Sequence, residues 1–235
     1  MARGGISAVV FDFAKLRTAI REGKIVEPRA VIEAALEVDR KLLKAFQRVP
    51  ESWKYRTFYS DHDDENIWNR RYDIYNDNSS LVIQVWNGMR TCRILLHETI
   101  RDQLLTASSA MTQIFSEEES KEQEKESILA MLTMQTDILA SVPSHPVPNP
   151  HERPSAFAER SRGYFILWPL YMAGVMDLAT QPITTWVIRQ LRKIAIEVGI
   201  GQANMLADVL EKHQLIALWR TKPTPRLKKD GAFFE

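Results

Sequence analysis

The sequence predicts an all-α protein: a single array of antiparallel helices with little or no sheet. Apolar residues recur at three- and four-residue spacing along most of the chain, period-two alternation is scarce, and prolines, glycines and cap-forming serines punctuate the apolar stretches at helical lengths. With 235 residues and 45% hydrophobic content, the chain can bury a full core. That core is read as one domain over residues 1–235, with the proline-rich stretch 142–155 dividing it at most into two closely packed halves.

The first clear helix spans Pro28 to Val49, where Val31, Ile32, Ala35, Leu36, Leu42, Leu43 and Phe46 form the stripe, Pro28 suits a first turn and Pro50 closes the segment. Residues 51–80 mix aromatics with the acidic run DHDDEN and are read as a loop, a short helix near Trp68 to Tyr75, and the cap-like NDNSS. A long helix follows from about Ser79 to Leu105. Another runs from about Ser116 to Ser141, its acidic start SEEESKEQEKE suiting the helix dipole, with Ile128, Met131, Leu132, Gln135, Ile138 and Leu139 as its apolar stripe. The segment VPSHPVPNPHERPS cannot be helical throughout. Beyond it the periodicity predicts helices over Ala156 to Ala179, Pro182 to Val198 and Gln202 to Trp219, with Gly199 and Gly201 at the last turn. Residues 221–235 read as a mobile or docked tail.

Charge and cysteine content narrow the function classes. Balanced charge, 31 basic against 30 acidic side chains for a net +1, supplies no strong field to attract a phosphate backbone and argues against autonomous DNA binding. The single cysteine, Cys92, rules out a disulfide or a cysteine zinc site within one chain; it lies in an apolar helix and is expected to be buried and inert. The start MARGGISAVVFDF is too weakly apolar for a secretory leader. The longest apolar run, Tyr164 to Met176, is too short and too interrupted by Pro169 and Gly174 to cross a bilayer. A nuclear or cytoplasmic location is expected.

The most informative stretch is VWNGMRTCRILLHETIRD, from Val85 to Asp102. At 3.6 residues per turn, Trp86, Arg90, Arg93, His97 and Ile100 share one side of a helix whose flank is apolar. Guanidinium groups stay charged when buried, so Arg90 and Arg93 each need a carboxylate, carbonyls or an anionic ligand. The seam is either a structural charge network or a binding site, and paired core arginines are the commoner case. Glu98, Asp137 and Asp177 are its candidate partners. If the seam works chemically, His97 is the first candidate to move a proton and Asp137 the second. Tyr164, Trp168 and Tyr171 fall on one face of a later helix; were that face to meet the seam, the two would enclose an apolar pocket with cationic anchors for a small apolar metabolite.

Other constellations are weaker. His62, Asp63, Asp64 and Glu65 lack the spacing and glycine of a calcium loop and read as a solvated acidic turn. His145, His151 and His213 match no zinc pattern, and Ser141, Ser144, Ser155 and Ser161 have no nucleophile-elbow context. No metal and no cofactor are expected.

The stretch Val85–Asp102, together with GYFILWPLYMAGVMD (Gly163–Asp177) and WVIRQLRKIAIEVGIGQANMLADVLE (Trp186–Glu211), resembles the regulatory domain that follows the zinc cluster in fungal transcription factors. VPESWKYRTF, YDIYNDNSSLVIQVWN, DILASVP, LWPLY and GIGQA occur in the family's order and extend the resemblance over nearly the whole chain after residue 30. The resemblance implies an all-α regulatory domain that senses, dimerises or meets co-regulators. With one cysteine, this chain cannot form the family's six-cysteine binuclear cluster. The expectation is therefore a transcription-factor-like domain without its reading head, acting through a protein partner or homodimer and a small effector. The alternative is a stand-alone enzyme of isomerase or cyclase type, acting on an apolar metabolite of secondary metabolism.

Overall fold

A computed structural model describes residues 2–77, 79–109, 114–143 and 156–212. Seven helices and one small hairpin make up the described residues: α1 (Ala2–Arg21), α2 (Pro28–Gln47), β1 (Tyr55–Tyr59), β2 (Arg71–Tyr75), α3 (Ser80–Ser108), α4 (Glu117–Ser141), α5 (Ala156–Val175), α6 (Gln181–Val198) and α7 (Gly201–Glu211). The all-α expectation holds, with a two-stranded antiparallel sheet as its only departure among those residues. No described helix is long and apolar enough to cross a membrane. Most of the proline-rich stretch, His145, His151, His213, the end of the expected last helix and the 221–235 tail lie outside the described residues.

Local chemistry accounts for the helix ends. Ser79 caps α3 by accepting from the Val82 amide, and Ser116 with Glu119 forms a reciprocal capping box on α4, which satisfies donors that a helix start otherwise leaves unbonded. Pro28 and Pro182 sit in first turns, where their missing N–H costs nothing. Gly199 ends α6 at φ +75°, a left-handed conformation that glycine adopts without a Cβ clash.

α3 is the axis. It packs between α2 and α4, with α5 against it, and α6 and α7 stack outward on α5. One hydrophobic cluster runs from Val9 on α1 through Leu42, Met89, Ile94, Ile100, Met131, Ile138 and Leu170 to Leu191 and Leu210. The close approach of α5 to α6 requires Gly174: a Cβ there would stand 2.8 Å from Val187 Cγ1.

Two readings are corrected and one unassigned element is added. Trp68 to Tyr75 is not a short helix but a single tight turn, Trp68–Arg70, leading into β2, whose residues pair Tyr55↔Tyr75 through Tyr59↔Arg71 with β1. The aromatic-rich segment gains more by alternating Asp73 and Tyr75 inward against α3 and α4. The apolar start of the chain is also a helix, α1, which buries Val9, Phe13 and Leu16 on one stripe and leaves Phe11 exposed. α5 stops four residues short of the expected Ala179, at Val175.

Candidate functional site

Residues of the seam on α3 point inward but separate into two clusters. Arg90, fully buried, donates to Tyr75 Oη and Asn87 Oδ1, both at 2.9 Å, and reaches Asp73 Oδ2 at 3.4 Å. Its guanidinium lies over the Tyr55 and Trp86 rings at 4.9 and 5.5 Å. Trp86 in turn stacks on Phe46 at 5.0 Å, meets Tyr55 edge-on and donates its indole N–H to the Trp53 carbonyl at 2.8 Å. An aromatic cage with one carboxylate therefore holds the cation.

Burial works against the Arg90 charge, but Tyr75, Tyr55, Asp137 and Asp73 outweigh it and raise its pKa. Burial also raises the Asp73 carboxyl above the usual aspartate range, and Arg90 and a 2.8 Å hydrogen bond from Thr57 Oγ1 only partly offset this. Both values rise, which favours the charged form of Arg90 and opposes that of Asp73. The guanidinium has no accessible neutral form and stays charged, with Asp73 Oδ2 the carboxylate oxygen that it reaches.

The second cluster lies one turn further along. Arg93 Nε donates to Asp39 Oδ1 at 2.8 Å, and His97 Nε2 stands 3.3 Å from Asp39 Oδ2, close enough for a charge contact though not aligned for a hydrogen bond. The other ring nitrogen, Nδ1, is 3.1 Å from Ser127 Oγ on α4. Asp39, His97 and Ser127 are all buried. Burial opposes ionisation of Asp39, but the adjoining His97 and Arg93 outweigh it and hold its pKa below the usual value.

The expected partners of the arginines are elsewhere. Asp137 pairs with Arg71 at 2.7 Å, Asp177 pairs with Arg101, and Glu98 acts on Arg17. Asp39 and Asp73, from α2 and β2, take the places proposed for them, since each faces α3 across an element boundary that helical spacing does not reveal. His97 and Asp137 do not share a site: His97 contacts α4 at Ser127, and ten residues of helix put Asp137 about 15 Å further along.

The aromatic stripe of α5 is graded rather than uniform. Tyr164 is exposed, Trp168 is half-buried, and Tyr171 is buried with its ring 5.4 Å from that of Trp168. The Tyr171 hydroxyl has no hydrogen-bond partner among the described residues, and burial raises its pKa. Cys92 is half-buried rather than buried. Burial still pushes its thiol up to about 11, keeping it protonated at neutral pH.

The acidic turn has a role that the sequence did not suggest. The Glu65 carbonyl accepts from Trp186 Nε1 and Gln190 Nε2 at 2.8 and 3.0 Å, Asn66 Oδ1 accepts from Lys193 at 2.7 Å, and Trp68 packs edge-on against Trp186. The hairpin loop thereby clamps α6 through backbone and amide groups, which side-chain charge patterns do not report. Among the described residues, no three histidine, cysteine or acidic side chains gather as a metal site would require.

No family model, curated protein or solved structure matches the chain.

Proposed function

We propose that this chain is a noncatalytic regulatory domain of the kind that follows the zinc cluster in fungal transcription factors, acting through a protein partner or a second copy and, secondarily, a small effector. The observation that supports the reading is the internal pairing of the seam: Arg90 is met by Asp73 and Arg93 by Asp39, so both cations are used in holding α3 to its neighbours. Function then falls to the surface, with the nucleus or the cytoplasm as the place of action. Tethering the chain to a heterologous DNA-binding domain in a fungal reporter strain tests this. A change in reporter output of about threefold or more is expected; an inert fusion that is expressed and folded overturns it.

A second reading, the stand-alone enzyme of isomerase or cyclase type, draws on one arrangement: His97 held between Asp39 and Ser127, with both ring nitrogens near a proton-exchanging group. Conversion of a metabolite by the purified chain, lost in His97→Ala, decides for it.

A further inference from the structure

We propose that α1 is a strap: it opens as a unit from α2 and α3, while the joint between those two helices stays closed beneath it. The device is independent of the regulatory reading, since it involves no partner and no ligand.

α1 and α2 are both 20 residues long, yet they are anchored very differently. α2 buries seven residues, with Ala35 and Leu42 wholly enclosed. Among the described side chains of α1, Val9, Phe13 and Leu16 are the buried ones, each still 7–8% exposed; Ile20 is partly covered, and Val10 and Phe11 face solvent. Ordering a helix costs conformational entropy in proportion to its length, so α1 sets the same cost against less than half of the burial. Gly4 and Gly5 in its first turn weaken it further as a helix.

Polar contacts do not compensate. Asp12 meets Lys41 of α2 at 2.7 Å, but both side chains are a third or more exposed, and an ion pair so placed holds little against water and salt. Arg17 acts on Cys92 and Glu98 of α3; burial, and then Arg21, nevertheless lowers its pKa, so docking α1 works against that charge. The joint beneath has its own fastening. Arg93 of α3 grips Asp39 of α2 with Nε at 2.8 Å and Nη2 at 3.3 Å, and Trp86 stacks on Phe46 at 5.0 Å, all without a residue of α1. α1 packs chiefly on α2 and to a lesser extent on α3, with residues 22–27 as its link to α2. Lifting it therefore bares an apolar groove on α2 and α3, of which α1 is the occupant when closed.

Native-state hydrogen exchange of the full chain in low urea, read by mass spectrometry, tests the strap. The hydrogen-bonded amides of α1 should exchange as one group, about tenfold or more faster than those of α2 and α3. Their rate should depend less on urea, because one departing helix exposes far less surface than global unfolding does. Leu16→Ala should speed exchange in α1 by about tenfold or more. Asp12→Ala removes an exposed pair without disturbing the core and should speed it by about twofold, which keeps the test open if the Leu16 variant fails to fold. Trypsin under native conditions should cut at Lys15, Arg17 or Arg21 before it cuts at Arg90, Arg93 or Arg101. α1 amides that share the protection and urea dependence of α2, a gradient that only frays from the helix ends, exchange that neither variant alters, or an α1 left uncut until the whole chain unfolds would each overturn the strap.

Discussion

Arg93 Nε lies 2.8 Å from Asp39 Oδ1, an ion pair that joins α3 to α2 across 54 residues of sequence. Three residues earlier on the same helix, Arg90 reaches Asp73 on β2 instead. One helix thus directs two cations to two different neighbours, and the bundle is fastened from its axis outward. Removing Arg93 leaves Asp39 buried with only His97 beside it, and breaking such a pair costs far more than the pair contributes. Arg93→Met should destabilise the chain by about 3 kcal/mol in urea unfolding. Asp39→Leu in the same chain should recover most of it, and a neutral single variant would mean that the charge is kept for binding.

The same aspartate predicts a pH dependence. Its folded pKa is below its unfolded value, near 3.9 for an ordinary aspartate, so the stability that it contributes is fully present above about pH 4 and is lost as the pH falls through the lower folded value. Wild type should exceed Asp39→Asn in urea midpoint at pH 7, and the gap should close toward pH 2. A gap that stays constant would show that Asp39 acts through packing alone.

How much could be read from the sequence follows from range. α2, α3 and α4 are legible because their stripes run through several turns and carry their own caps. α1 is not, because Val9, Phe13 and Leu16 are a narrow stripe beside the exposed Val10 and Phe11, which blurs the period. Five residues of β2 are too few to separate a strand from a helical turn. At the seam, helical spacing identifies the inward side chains Trp86, Arg90 and His97 but says nothing of their partners. Asp39 and Asp73 come from elements whose placement only the tertiary fold decides, and Asp39 sits in α2 among residues that read simply as an amphipathic helix.

Gly174 is the position where α5 and α6 have no room to spare. An alanine Cβ would meet Val187 Cγ1 at 2.8 Å and Val187 Cβ at 3.1 Å, contacts that separating the helices must relieve. Gly174→Ala should cost about 1–3 kcal/mol in thermal or urea unfolding. Val187→Ala in the same chain should return part of that by removing Cγ1, whereas additive losses would place the strain elsewhere.

With a net charge of +1, the chain should bind a labelled 20-base-pair duplex only weakly and without sequence preference by fluorescence anisotropy at physiological salt. Sequence-selective binding that survives added competitor DNA would contradict this.

Tyr171 carries the last prediction. Its ring is buried against Trp168, yet its hydroxyl finds no partner among the described residues, and a buried hydroxyl without a hydrogen bond loses its hydration for no return. Tyr171→Phe keeps the ring and removes only that oxygen. The purified variant should therefore be as stable as wild type or more stable by about 1 kcal/mol. The effector reading adds a second measurement, because an unpaired buried donor is what a carbonyl or carboxylate ligand would satisfy. If the chain retains a metabolite from an extract of its source, detected by mass spectrometry after desalting, Tyr171→Phe should retain at least tenfold less of it. A variant that is less stable while free of ligand would show that the hydroxyl already serves the fold, and equal retention would remove Tyr171 from any effector site.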